Sequence, residues 1–258
     1  MYMPAMSIFQ PDSSLVAEVV PSPNHDERKD GRVPDIILLH YTGMQNTQEA
    51  LNRLCSPESK VSSHYFVFED GRIVQSVQES RRAWHAGDSQ WAGETDINSS
   101  SIGIEIANPG HDFGYPDFPS RQIAAVIALC RGIIARRGIK PDRVLAHSDV
   151  APSRKRDPGE KFPWRLLADS GVGEWATPSR ITDKVSNFAL GQEGDRMRGL
   201  QIALADFGYG IPVTGKFDET TRDVVTAFQR HFRPAKVDGI ADGSTQRTLQ
   251  KMLERRRW

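Results

Sequence analysis

An α/β architecture, a central mixed β-sheet flanked by helices and followed by a small all-α three-helix C-terminal domain, is what this sequence predicts. Three observations predict it. Between residues 34 and 175, apolar stretches of strand length alternate with stretches of helical period, the pattern of a sheet with helices packed on it. A polar stretch without a period, "TPSRITDKVSNFALGQEGD", then interrupts the alternation and reads as a linker. Beyond it, three short amphipathic segments follow one another. The predicted division is a catalytic-sized domain over 1–176 with its core at about 34–175, a linker over 177–194 and a helical unit over 195–258.

Taken in order, "VPDIILLHYTG" is a continuous apolar run bounded by Pro34 and Gly43, suited to a strand buried on both faces, with His40 at its C-terminal end. In "NTQEALNRLCS", Asn46 or Thr47 caps a helix that carries Ala50, Leu51 and Leu54 on one face. "SSHYFVFEDGRIVQSV" alternates around Asp70-Gly71, a hairpin signal. In "SSIGIEIANPG", Ile102, Ile104 and Ile106 share one strand face, which leaves Glu105 on the other among small residues. "SRQIAAVIALCRGIIARRG" reads as a long buried helix with Ser120 as its cap and Gly138 as its stop. "RVLAH" is a further short strand ending in His147. In the helical unit, Gly215-Lys216-Phe217-Asp218 and Asp238-Gly239-Ile240-Ala241-Asp242 are similar turns, each with an aspartate placed to cap the next helix, a weak internal repeat.

Composition narrows the function. The 258 residues carry 33 basic and 33 acidic side chains, so no net field is available to hold nucleic acid or an acidic membrane. No apolar run is long enough to span a bilayer, and the start, "MYMPAMSIFQPDSS", lacks the pattern of a secretory leader. Cys55 and Cys130 form no CxxC pair and lie in stretches that read as helical, so neither a disulfide framework nor a sulfur metal site is indicated; whether they meet stays open.

His40 and His147 both end predicted strands, and Asp157 lies on the Pro-bracketed loop that follows the second. Two imidazoles and one carboxylate suffice to hold a zinc ion with a position left for water, although ligand type alone also admits cobalt or nickel. From spacing alone, hydrogen-bonded histidines at strand ends and a plain turn at Asp157-Pro158 account for the same residues.

The wording is more specific than the spacing. "LLHYTG", "SSHYFVFEDGRIVQ", "RRAWHAG", "SIGIEIANPG" and "AHSDVAPSRKRDPG" occur in this order, and together they resemble the zinc-dependent N-acetylmuramoyl-L-alanine amidases of type 2, which share a fold with animal peptidoglycan-recognition proteins. The resemblance covers roughly Pro34 to Trp175. It implies His40, His147 and Asp157 as zinc ligands and puts Glu105 and Lys155 at the family's two catalytic positions. Glu105 then suits a general base, and Lys155 a cation that meets the developing oxyanion. His64 falls in or near the cleft wall, and with His85 and Asn108 it makes up the expected substrate contacts. Over about Asp195 to Leu253, "LQIALADFGYG", "GKFDETT", "AFQRHF" and "VDGIADGSTQRTLQ" resemble a small three-helix peptidoglycan-binding domain, for which a helical bundle that merely packs or dimerises is the alternative.

The implied activity is hydrolysis of the amide between N-acetylmuramic acid and the L-alanine of the stem peptide, by a monomer whose partners are peptidoglycan or muropeptides. Cytoplasmic recycling of anhydromuropeptides is the alternative, and a non-catalytic recognition protein a more distant one, which the intact ligand set argues against. The missing leader points to the cytoplasm and the wall-binding unit to the cell envelope. A chain ending near Trp175 is expected to keep turnover on soluble muropeptides and to lose it on sacculi.

Overall fold

A computed structural model describes residues 9–180 and 187–256. In chain order the strands are β1 (Glu18–Val19), β2 (His25–Glu27), β3 (Ile36–Tyr41), β4 (Tyr65–Val67), β5 (Ile73–Gln75), β6 (Arg81–Ala83), β7 (Ser101–Ile106) and β8 (Val144–Ala146). The helices are α1 (Thr47–Leu54), α2 (Ile97–Ser100), α3 (Ser120–Arg137), α4 (His147–Val150), α5 (Trp164–Asp169), α6 (Asp195–Phe207), α7 (Glu219–Phe232) and α8 (Gly243–Arg256). Contacts divide the chain into two units, one made of residues up to Gly87 with Asn98–Val144, the other of Asp88–Ile97 with Leu145–Trp258.

The sheet runs β1-β5-β4-β7-β3-β8 and is mixed: β4 pairs antiparallel with β5, while β7 pairs parallel with both β4 and β3. Ile36 to Leu39 have no exposed surface, so β3 is covered on both faces as its apolar run requires; on β7 the Ile102, Ile104 and Ile106 face is equally closed, while Glu105 on the opposite face is half-buried. Asn46 caps α1 by accepting from the Glu49 amide at 3.0 Å. Its Ala50, Leu51 and Leu54 pack on Phe66, Phe68, Val74 and Ala107. The hairpin at Asp70-Gly71 forms as expected; Gly71 has φ +88°, and a Cβ there would stand 2.9 Å from the Arg121 carbonyl oxygen.

Helix α3 differs from expectation at its start. Pro119 occupies the cap position, and Ser120 is already the first helical residue with no capping hydrogen bond. What fastens this end is Gln122, fully buried, whose amide donates to the carbonyls of Val67 and Ala107 at 3.2 and 2.8 Å. Gly138 ends the helix at φ +67°, its amide donating to the Ile134 carbonyl. Near that end, Arg136 and Arg137 pair with the fully buried Glu79 at 2.6 and 2.8 Å, and the Tyr65 hydroxyl donates to the same carboxylate. Cys55 and Cys130 are free thiols, and burial pushes the Cys130 thiol up to about 12.

In the second unit, α6, α7 and α8 realise the predicted repeat. The Asp218 carboxylate accepts from the Thr221 amide at 2.9 Å, and the Asp242 carboxylate from the Thr245 amide at 2.8 Å. A buried glutamine precedes each turn. Gln201 accepts from the Gly215 amide and donates to the Lys216 carbonyl and the Thr221 hydroxyl, and Gln229 does the same with Gly239, Ile240 and Thr245. Part of the expected linker takes part: Phe188 bridges Ala241, and the Gly191 amide donates to the Phe217 carbonyl. Its residues 181–186, like residues 1–8 of the N-terminal stretch, lie outside the described residues. Among the described residues, no helix is long and apolar enough to cross a membrane.

Candidate metal centre and active site

His40 sits near the end of β3, and the parallel ladder sets Glu105 of β7 directly in register with it. Register partners on neighbouring strands project to the same face, so the imidazole and the carboxylate stand side by side. Gly103, two residues earlier on that face, leaves room for the His85 ring: a Cβ on Gly103 would lie 2.6 Å from it. His85 in turn places Nδ1 3.0 Å from His40 Nε2, with the rings edge-on at 5.1 Å. Its Nε2 lies 3.3 Å from the Ser101 hydroxyl, and its backbone amide donates to Asn98.

Behind His85 lies His64, edge-on at 5.6 Å and with no exposed surface. Its Nδ1 accepts from the Gly103 amide at 2.9 Å, and its Nε2 donates to the Arg81 carbonyl at 3.0 Å. The buried Arg28 guanidinium, 3.0 Å from Nε2, also donates to the carbonyls of Glu79, Ser99 and Ser101. Burial first and Arg28 second hold the His64 imidazole down to about 3, so it is neutral over the physiological range. Both ring nitrogens serve the protein itself, so His64 supports the wall from inside. Asn108 is also buried: its amide donates to the Pro116 carbonyl and accepts from the Gly110 amide, which shapes the loop after β7.

The second ligand segment folds differently from its reading as a strand ending in His147. The strand stops at Ala146, and His147 opens the single turn of α4 because Asp149 reaches back to accept from the Ala146 amide at 2.8 Å. The loop then returns: the Ser148 amide donates to the Asp157 carbonyl at 3.0 Å, and His147 Nδ1 lies 3.0 Å from Asp157 Oδ2. Both side chains are buried, Lys155 is half-buried, and Arg154 and Arg156 are exposed.

One ligand atom from each of His40, His147 and Asp157 lies within 4.8 Å of the others, so the structure contains a buried His-His-Asp cluster. The donor set fits a small divalent cation. Two donors at about 2.1 Å on a tetrahedral ion stand about 3.4 Å apart, close to the His147–Asp157 spacing of 3.0 Å. Nitrogen and oxygen donors without sulfur suit zinc. Nothing in the local sequence pattern assigns a part to Asp149, to Arg28 or to the contact between His85 and His40. For that contact the sequence signals only that some group comes close: a glycine inside a strand, at 103, marks such an approach.

The model of the N-acetylmuramoyl-L-alanine amidase family matches residues 30–160, and that of a peptidoglycan-binding domain family matches residues 193–255. N-acetylmuramoyl-L-alanine amidase AmiD of Escherichia coli strain K12 is 39% identical over 235 residues, spanning 85% of this chain and 82% of that protein. The 1,6-anhydro-N-acetylmuramyl-L-alanine amidase AmpD of the same strain is 35% identical over 169 residues, covering 57% of this chain and 88% of its own. Among solved structures, E. coli AmiD in complex with anhydro-N-acetylmuramic acid-L-Ala-D-gamma-Glu-L-Lys superposes with a TM-score of 0.75 at 35% identity, covering 89% of this chain and 92% of that one. AmpDH3 of Pseudomonas aeruginosa with an anhydromuramic pentapeptide gives 0.74 at 32% identity, covering 88% and 94%.

Proposed function

Because the chain belongs to the N-acetylmuramoyl-L-alanine amidase family, we propose that it hydrolyses the amide joining the lactyl group of N-acetylmuramic acid to the stem-peptide L-alanine, at one zinc ion held by His40, His147 and Asp157. The observation that carries this reading is the buried His-His-Asp cluster with Glu105 in register beside His40. When bound, zinc supplies Lewis acidity, lowering the pKa of water to about 7 and polarising the scissile carbonyl. With His40 Nε2 donating to His85 Nδ1, His40 Nδ1 carries the lone pair a cation needs, and His85 fixes the ring as an outer partner. Glu105 takes the proton of the attacking water as the C–O bond forms and returns it to the alanine nitrogen as the C–N bond breaks. Lys155 faces the charge that develops on the carbonyl oxygen. His85 and the Asn108 loop line the substrate side of the wall that His64 supports.

The match of residues 193–255 to a peptidoglycan-binding family supports polymeric wall as a substrate, gripped by the helical unit over 195–258. Soluble anhydromuropeptides remain the second substrate class, favoured by the ligands of the AmiD and AmpDH3 complexes. Two variants test the chemistry. Glu105→Gln cannot accept a proton, so kcat is expected to fall roughly 10²–10⁴-fold with zinc retained; near-normal turnover would remove Glu105 as the base. His147→Ala is expected to lose zinc and activity together, and full occupancy with full activity would overturn the ligand set.

A further inference from the structure

Asp149 belongs to the "AHSDVAP" segment, takes no part in the hydrolysis described above and has no exposed surface. It stands two residues after His147, in α4. Its Oδ2 accepts from the Ala146 amide at 2.8 Å, the hydrogen bond that turns β8 into α4. The same oxygen lies 2.7 Å from Nδ1 of His231 in α7, and Oδ1 accepts from the Tyr209 hydroxyl, just past α6, at 2.8 Å. A carboxylate only accepts, so His231 Nδ1 carries a proton. Burial and the neighbouring carboxylate push the Tyr209 phenol well above its usual range, which keeps it a donor.

Both donors are buried and held from behind. The His231 ring is stacked against Trp164 of α5 at 3.7 Å and against Phe232 at 3.8 Å. Tyr209 meets Trp91 edge-on at 5.0 Å, and the strand-like bridge between Trp91 and Tyr209 fixes its backbone. Gly208 makes that bridge possible: its φ is +129°, and a Cβ there would stand 2.7 Å from the Trp91 ring. From the other side, the Gln90 amide donates to the Val150 carbonyl at 2.8 Å, the last residue of α4. The turn that bears His147 is therefore gripped by groups whose partners lie among the C-terminal helices.

We infer that Asp149, Tyr209 and His231 form a brace through which the C-terminal helical region holds α4, and with it the His147–Asp157 pair, in the arrangement a metal needs. The inference rests on the metal-centre reading above. A fully buried carboxylate that loses its donors has to recruit water or move, and the cost of leaving it unpaired is what fixes the turn. Movement of α4 reaches the other ligand directly, because the Ser148 amide is bonded to the Asp157 carbonyl. Asp149, Tyr209 and His231 are positioning residues that touch no reacting atom. The C-terminal region then supports the chemistry as well as the grip on the wall. A chain ending near Trp175 lacks both donors, so turnover on soluble muropeptides should be lost with it, the reverse of what the sequence suggests.

The test uses the full chain with Tyr209→Phe combined with His231→Leu, and His231→Asn alone as the conservative variant whose amide nitrogen can replace Nδ1. Three quantities are measured: the zinc dissociation constant by chelator competition, kcat and KM on a soluble anhydromuropeptide, and pelleting with sacculi. The double variant should bind zinc roughly 10–100-fold more weakly, with lower kcat, steady KM and unchanged pelleting; His231→Asn should recover most of the zinc affinity. Wild-type zinc affinity and kcat in a folded double variant would overturn the brace. If thermal melting shows that the double variant does not fold, Tyr209→Phe alone, which keeps the ring against Trp91, carries the comparison: weakened zinc binding supports the brace and wild-type affinity overturns it. Zinc that is absent from the wild type, or retained by His147→Ala, defeats the metal-centre reading and the brace together, whereas zinc lost from His147→Ala but undisturbed in the brace variants defeats the brace alone.

Discussion

His64 shows how one side chain ties stability to pH. Its imidazole is held down to about 3, against 6.5 when unfolded, first by burial and then by Arg28. The unfolded chain therefore binds one more proton than the native state between those two values. Stability from this group is fully present above about pH 6.5 and is lost as pH falls toward 3, by up to about 1.4 kcal/mol per pH unit for a single proton. Urea denaturation from pH 7 to pH 4 should show that acid limb in the wild type and a flatter one in His64→Gln, which keeps a donor for the Arg81 carbonyl but cannot take up a proton. An unchanged slope would assign the acid limb to other groups. At the same scale, the strand alternation that isolates Glu105 was readable from the sequence, because side-chain direction in a strand is a local property. The neutral state of His64 was not, since Arg28 reaches it from 36 residues away.

Among the elements, the helical repeat offers the clearest energetic comparison. Asp218 and Asp242 cap α7 and α8 through equivalent hydrogen bonds, so truncating either to alanine should cost about 1 kcal/mol from the lost cap. The two sites differ in their cationic neighbours: Lys236 Nζ lies 3.7 Å from Asp242 Oδ2, and a buried arginine lies closer still. Asp242 Oδ2 also stands 3.4 Å from the guanidinium of Arg233, a residue with 1% exposure, and removing it weakens the pairing of a buried cation. Asp242→Ala is therefore expected to destabilise more than Asp218→Ala in matched urea titrations, and equal losses would contradict the role given to Arg233. These caps were legible because an aspartate before a helix acts on an amide three residues on. The start of α3 departs from its local pattern for a related reason: Ser120 looks like a cap locally, but the anchor is Gln122, bonded to the carbonyls of Val67 in β4 and Ala107 just past β7, which the local pattern cannot bring near it.

For the molecule as a whole, hydrolysis and wall binding are expected to depend on different parts of the chain, the first on the metal and the second on residues 195–258. Stripping the metal with a chelator should abolish amide hydrolysis on soluble muropeptide and on sacculi, while pelleting with sacculi persists, and added zinc should restore turnover. Pelleting that disappears with the metal would place the wall contact at the catalytic cleft and remove the binding role from residues 195–258.

Legible along the chain were the α/β alternation, the caps at Asn46, Asp218 and Asp242, the hairpin at Asp70-Gly71 and the face on which Glu105 stands, and the ordered motifs single out His40, His147 and Asp157 as the candidate ligands. Each of these rests on interactions between residues a few positions apart, or on wording that stays together in the chain. Tertiary structure alone decided the foundations of the site. His85 meets His40 across 45 residues, and Tyr209 and His231 reach Asp149 across 60 and 82. Groups that distant are brought together by burial of the whole core, which leaves a carboxylate or an imidazole inside with no water to satisfy it, and the donor that then fills the vacancy is set by packing and not by any local pattern.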